Sequence, residues 1–159
     1  MKHNWKVSLI FAALLTLFVA YPAYSVKYDK SNPTKMYSKA YKMIDKGQYS
    51  KAQKILKNYT KSKPEDPDGW TLLAFTYRKL DKFAESEEYY LKALNLEPDN
   101  KAALEYQGEL FIETNRIDLA NANIKKLQNL CPNSCEELEK LQSYLSLIHI
   151  SEPTRQIVI

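Results

Sequence analysis

Histidine is nearly missing from these 159 residues: there are two, His3 and His149, and both lie in terminal segments. The stretch between them therefore lacks the side chain most often used as a general base, proton shuttle or metal ligand near neutral pH. Glycine is also scarce, with only Gly47, Gly69 and Gly108, widely spaced. A phosphate-cradling loop needs clustered glycines, so nucleotide-binding loops are excluded. Only two cysteines occur, Cys131 and Cys135. Two sulfurs without a nearby histidine fall short of a four-ligand zinc site. Haem attachment fails because Glu136 follows Cys135, and no β-α-β pattern surrounds the pair as a thioredoxin-like dithiol would require. Neighbouring carboxylates such as Glu87 and Glu88 point in different directions on a helix and do not converge. These absences lead to the expectation of no enzyme activity, no metal and no cofactor.

Both ends differ in texture from the middle. Lys2 and Lys6 precede an uncharged apolar run over residues 7–20, followed by Tyr21-Pro22-Ala23-Tyr24-Ser25. A basic end, a short apolar stretch and an Ala-x-Ser site are the order of a secretory signal. A membrane anchor needs about 20 apolar residues. Residues 1–25 are therefore expected to be a cleaved signal peptide and residues 26–32 a linker, in an exported, periplasmic bacterial protein with membrane contact at most peripheral. At the other end LSLIHISEPTR breaks the charged, helical texture. This string resembles one reading frame of a sequencing-library transposase adapter, so residues 145–159 are expected to be a non-native tail.

Charge is segregated along the core. Residues 26–63 hold eleven lysines and two acidic residues, residues 64–100 hold four basic and nine acidic, and residues 101–144 hold five and seven. Lysine-rich helix faces are ordinarily solvated surface. They also form an electropositive end able to meet an anionic partner.

Three gapless blocks of equal length repeat a pattern: residues 33–66, 67–100 and 101–134. The middle block places Trp70, Leu73, Ala74 and Tyr77, then Phe83, Tyr90, Ala93 and Pro98, at positions that the first block fills with Met36, Ala40, Met43, Gly47, Tyr49, Ala52, Leu56 and Pro64. The third fills them with Leu104, Gly108, Phe111, Ile117, Ala120, Ile124, Leu127 and Pro132. Helical spacing of the large apolar residues gives every helix one apolar stripe. A lone helical pair cannot bury both stripes, which forces stacking on the next pair. The small residue at Ala40, Ala74 and Gly108 is expected to let the two helices of a hairpin approach. Pro64, Pro98 and Pro132 end the second helices. Asp66, Asp68, Asp99 and Asn100 suit turns and N-caps. Gly47 supplies a permissive turn, and Asp81 and Asn115 stand in its place in the other blocks.

These positions resemble the tetratricopeptide repeat family over nearly all of the core. The resemblance implies an all-α fold: a right-handed α-solenoid of three helical hairpins, closed by a capping helix over residues 135–144 with Leu138 and Leu141 on its apolar face. It also implies a protein-protein scaffold or adaptor in the cell envelope, with a client protein or peptide held on the concave wall made by the first helices. The wall positions carried over from the family are Tyr37, Tyr41 and Asp45; Thr71, Phe75, Arg78 and Lys79; and Glu105, Glu109 and Glu113. In order they run from aromatic through basic to acidic. Phe75 lies outside its helix's packing stripe, either as a binding anchor or as filler against the next repeat. Members that clamp a C-terminal carboxylate use Lys and Asn where this chain has Tyr37, Tyr41, Leu72, Ala102 and Tyr106, so that subtype is disfavoured. An alternative function is an electrostatic module that meets anionic polymer or lipid through the lysine-rich first repeat. Nucleic acid is not expected as a partner, because the aromatics are mostly packing residues. In an oxidising compartment Cys131 and Cys135 are expected to pair as a structural disulfide across Pro132.

Overall fold

The computed structural model describes residues 32–151, with side chains through 147. The expected signal peptide and most of the linker lie outside the described residues. Seven helices and no strand are found among those described: α1 (Pro33–Asp45), α2 (Tyr49–Ser62), α3 (Pro67–Arg78), α4 (Phe83–Leu96), α5 (Lys101–Glu113), α6 (Ile117–Leu130) and α7 (Glu136–Ser151). Consecutive helices pair as α1–α2, α3–α4 and α5–α6, and each hairpin packs on the next. None of these helices is long and apolar enough to cross a membrane.

Helix starts follow one rule in the first helix of every hairpin. Asn32, Asp66 and Asn100 accept backbone N–H bonds from Thr34, Asp68 and Ala103 at 3.0, 3.0 and 2.9 Å. Such caps satisfy donors the helix itself cannot. The second helices start at Gln48, Lys82 and Arg116 without a side-chain cap. They follow tight turns in which Gly47, Asp81 and Asn115 adopt φ of 66°, 57° and 58°. The left-handed conformation is open to glycine and tolerated by Asp and Asn, so one turn geometry survives three residue types.

The apolar stripes meet as the spacing predicts. Ala40, Ala52, Leu56, Trp70, Leu73, Tyr77, Ala93 and Ala103 form a cluster shared by the first two hairpins and the start of α5. A second cluster, with Leu104, Phe111, Ala120, Ile124 and Leu127, takes in Leu138 and Leu141 of α7. Between them Ala74, Tyr90 and Leu110 are sealed from solvent. Polar locks reinforce the stack. The Trp70 indole donates to the Pro64 carbonyl at 2.7 Å, and Asn100 Nδ2 donates to Asp68 Oδ1 at 3.0 Å. The Tyr59 hydroxyl donates to Asp66.

Three details differ from the sequence expectation. A Cβ on Gly108 would come within 2.5 Å of the Leu141 side chain, so the first group it would meet belongs to α7. Gly69, which carried no packing role in the sequence reading, lies against the Tyr59 ring, 2.5 Å from where its Cβ would be. The seventh helix also runs beyond Tyr144 to Ser151, and Leu145 packs on the second cluster. At the α6–α7 junction Cys131 and Cys135 lie at disulfide distance, with Cα atoms 5.7 Å apart. Ser134 between them takes a left-handed φ of 77°.

Candidate binding groove

The first helices α1, α3 and α5 form the inner wall of a stack of this type. The ten wall residues named from the sequence fall into three environments.

The first is open. Tyr41 keeps 53% of its surface exposed, Asp45 and Lys79 are exposed, and Tyr37 and Phe75 are half-buried. The Tyr37 ring sits 5.3 Å from that of Tyr59 in α2. Burial, with Asp68 and Asp66 adding to it, pushes the Tyr37 phenol up to about 12. Phe75 lies 6.1 Å from Tyr49 of α2 and 5.1 Å from Tyr106 of α5, while the Arg78 and Lys79 cations lie 5.4 and 5.6 Å from its centre. Phe75 is thus the hinge of an aromatic surface spanning neighbouring hairpins and also filler between them.

The second environment is an ion-pair network. Arg78 is 1% exposed; Nη1 donates to Glu113 Oε1 at 2.7 Å and Nη2 to Glu109 Oε2. The Tyr144 hydroxyl of α7 donates to the same Glu113 oxygen at 2.7 Å. Burial works against the Arg78 charge, but Tyr90, Glu109 and Glu113 more than offset it and raise its pKa. The Tyr90 hydroxyl and Arg78 Nε, both buried, lack a hydrogen-bond partner among the described residues. Arg78 therefore joins α3 to α5, and through Glu113 to α7, instead of facing a ligand. The basic middle of the wall expected from the sequence is reduced to Lys79.

The third environment is interior. Thr71, 2% exposed, donates its hydroxyl to the Pro67 carbonyl at 2.9 Å. It offers no free group to a partner. Glu105 is 3% exposed, and no donor among the described residues reaches its carboxylate. Burial, and next the charge of Glu109, push the Glu105 carboxyl up to about 7, with Lys140 of α7 pulling the other way.

Tyr106 was absent from the sequence-derived wall, although its place among the clamp positions was the signal that could have put it there. Its phenol is raised by burial, then by Glu105, and lies within electrostatic reach of Glu109 and of Tyr41 from α1. The aromatic and acidic parts of the wall thus meet at Tyr106. No group of three metal-ligating side chains gathers anywhere among the described residues.

Comparison with known proteins agrees with this architecture. The tetratricopeptide repeat model matches residues 67–100, the bounds of the middle block. No curated protein matches by sequence. Among solved structures, the type III secretion translocator chaperone SycD of Yersinia enterocolitica superimposes with a TM-score of 0.66 at 16% identity, covering 77% of this chain and 95% of that one. SycD in complex with a peptide of the translocator YopD gives 0.64 at 16% identity, over 76% and 94%. The first tetratricopeptide domain of Spaghetti (RPAP3), bound to the HSP90 peptide SRMEEVD, gives 0.64 at 21% identity, over 76% and 96%. At these identities the likeness is one of fold. The chain thus carries a tetratricopeptide repeat at residues 67–100 within a three-hairpin stack of tetratricopeptide fold.

Proposed function

We propose that this protein is a non-catalytic, exported adaptor of the cell envelope that holds a segment of a client protein on its inner wall. The observation that carries the reading is the aromatic surface made by Tyr41, Phe75 and Tyr106. Tyr41 is half exposed, and Phe75 and Tyr106 pack ring to ring at 5.1 Å. Aromatic anchors of this kind dominate binding energy where partners meet. Two of the structurally similar proteins were solved with peptides, one of the translocator YopD and one of HSP90. The export part of the proposal rests on the apolar run and cleavage pattern of residues 1–25.

The test is recovery of client protein from cells with the tagged full chain, compared with Tyr41→Ala and Phe75→Ala. Loss of the same bands in both variants, with unchanged melting of the Tyr41 variant, is the expected result. Recovery that ignores both substitutions overturns the groove.

One observation favours a second reading. Nine lysines from Lys35 to Lys63 are all exposed, and none forms an ion pair among the described residues. This end of the stack suits an anionic polymer or lipid surface. Binding to anionic vesicles should then fall steeply as salt approaches about 0.1 M, where the screening length is about 10 Å. Binding that is indifferent to salt removes this reading.

A further inference from the structure

Glu105 differs from every other acid on the wall. Glu109 and Glu113 hold Arg78, whereas Glu105 is more deeply buried than either and receives no hydrogen bond from a described residue. An ionised carboxylate in that position is unstable unless a cation compensates it. Lys140, the cation that favours the Glu105 charge, is tied to Glu136 at 2.7 Å and stands half exposed on α7. Around the carboxylate the wall is aromatic. Tyr106 lies within electrostatic reach of Glu105, Glu109 and Tyr41, and its ring packs on Phe75. One aromatic face of this surface, that of Phe75, already carries two cations, Arg78 and Lys79. Tyr41 and Tyr106 carry none among the described residues. Rings of this kind attract a desolvated cation, and a carboxylate within electrostatic reach of them adds a charged hydrogen-bond acceptor. An acidic segment would bring like charge over Glu105 and Glu109, which disfavours it strongly.

Building on the reading of the inner wall as a groove, we propose that its occupant is a client segment bearing a lysine or arginine. That side chain is held between Tyr41 and Tyr106, with its charge over Glu105 and Glu109. This specificity is opposite in sign to that of a clamp for a C-terminal carboxylate. The basic client charge substitutes for the compensating cation the fold leaves out.

Fluorescence anisotropy with the full chain tests this, using short labelled peptides on one leucine-serine frame that differ only in carrying lysine, arginine, glutamine or glutamate. At about 0.15 M salt, where long-range attraction is screened, the lysine and arginine peptides should bind roughly tenfold or more tightly than the glutamine peptide. Glu105→Gln should erase that preference, and Tyr41→Ala should weaken every peptide. Tyr106→Leu supplies the same readout if Glu105→Gln does not fold. Glutamine or glutamate peptides that bind as well as the basic ones, still weakened by Tyr41→Ala, overturn the cation and leave the groove standing. Binding by no peptide, or binding indifferent to Tyr41→Ala, brings down the groove reading as well. A wild-type dimer by light scattering that Glu105→Gln dissociates, without any peptide preference, makes the lysine-rich hairpin of a second copy the occupant and overturns a foreign client.

Discussion

The first and third hairpins share a repeat pattern and a packing scheme, yet they treat charge in opposite ways. In α1 and α2 the lysines stand exposed and unpaired, and Asp45 is exposed beside them. In α5 Glu109 and Glu113 hold the buried Arg78, and Glu105, only 3% exposed, receives no hydrogen bond from a described residue. Position in the stack accounts for the difference. The α5 helix is covered by α3 and α4 on one side and by α6 and α7 on the other, whereas among the described residues α1 has a neighbour on one side only. Charges on a twice-covered helix are taken out of water and must be paired, protonated or compensated. Those on an end helix remain hydrated and contribute little to stability. The repeat thus divides labour, with a tolerant charged end and a rigid, electrostatically committed interior.

The largest expected effect attacks the interior. Arg78→Ala strands Glu109 and Glu113, and should lower unfolding free energy in denaturant by about 3–5 kcal/mol. The matching changes at the open end, Lys39→Ala or Lys42→Ala, should stay within about 0.5 kcal/mol. Equal losses at the interior and at the open end would erase the contrast.

Next in size is a pH effect confined to the interior. The Glu105 carboxyl, ordinarily near 4.5, is held at about 7 in the folded chain. The folded state therefore keeps a proton that the unfolded chain releases between these values. Stability from this group is full below about 4.5 and is lost as pH rises to about 7, a difference of at most about 3 kcal/mol. Denaturation measured across this range should show wild type losing stability relative to Glu105→Gln as pH rises. Parallel curves for the two proteins would mean that Glu105 is not held protonated.

Smaller again is the junction that brings α7 onto α5. Reduction of the Cys131–Cys135 pair should cost about 2 kcal/mol at most, because the closed loop is short. Amide exchange should then quicken in α7 before it does in α1. Tyr41→Ala should change stability as little as the lysine substitutions, within about 0.5 kcal/mol, because the residue is 53% exposed. That variant should nevertheless lose client, separating a binding surface from a folding one.

The helical hairpins and their turns were legible because each rests on local chemistry repeated three times. The apolar stripe, the closing proline and the Asn or Asp cap recur at fixed offsets, and the left-handed turn position accepts Gly47, Asp81 or Asn115 alike. The wall was legible only as a set of positions. Tyr41 and Phe75 stand where the pattern put them, one open and one half-covered. Arg78 was misread as a basic surface because its reach of one helix to Glu109 and Glu113, 31 and 35 residues away, leaves no trace in local spacing. Gly69 was passed over for the same reason, since the Tyr59 ring that fills its missing side chain comes from the preceding hairpin. The length of α7 escaped because the change in texture after Tyr144 does not interrupt a helix that continues to Ser151.

By itself the sequence determined that the chain forms stacked helical pairs, because periodic apolar stripes, caps and breakers act within a few residues and require no knowledge of what lies across the fold. Which charges are free and which are spent was decided only in the tertiary structure. Lysine, arginine and glutamate read alike along a helix, and their energies depend on whether the neighbouring helix supplies water, a counter-ion or neither.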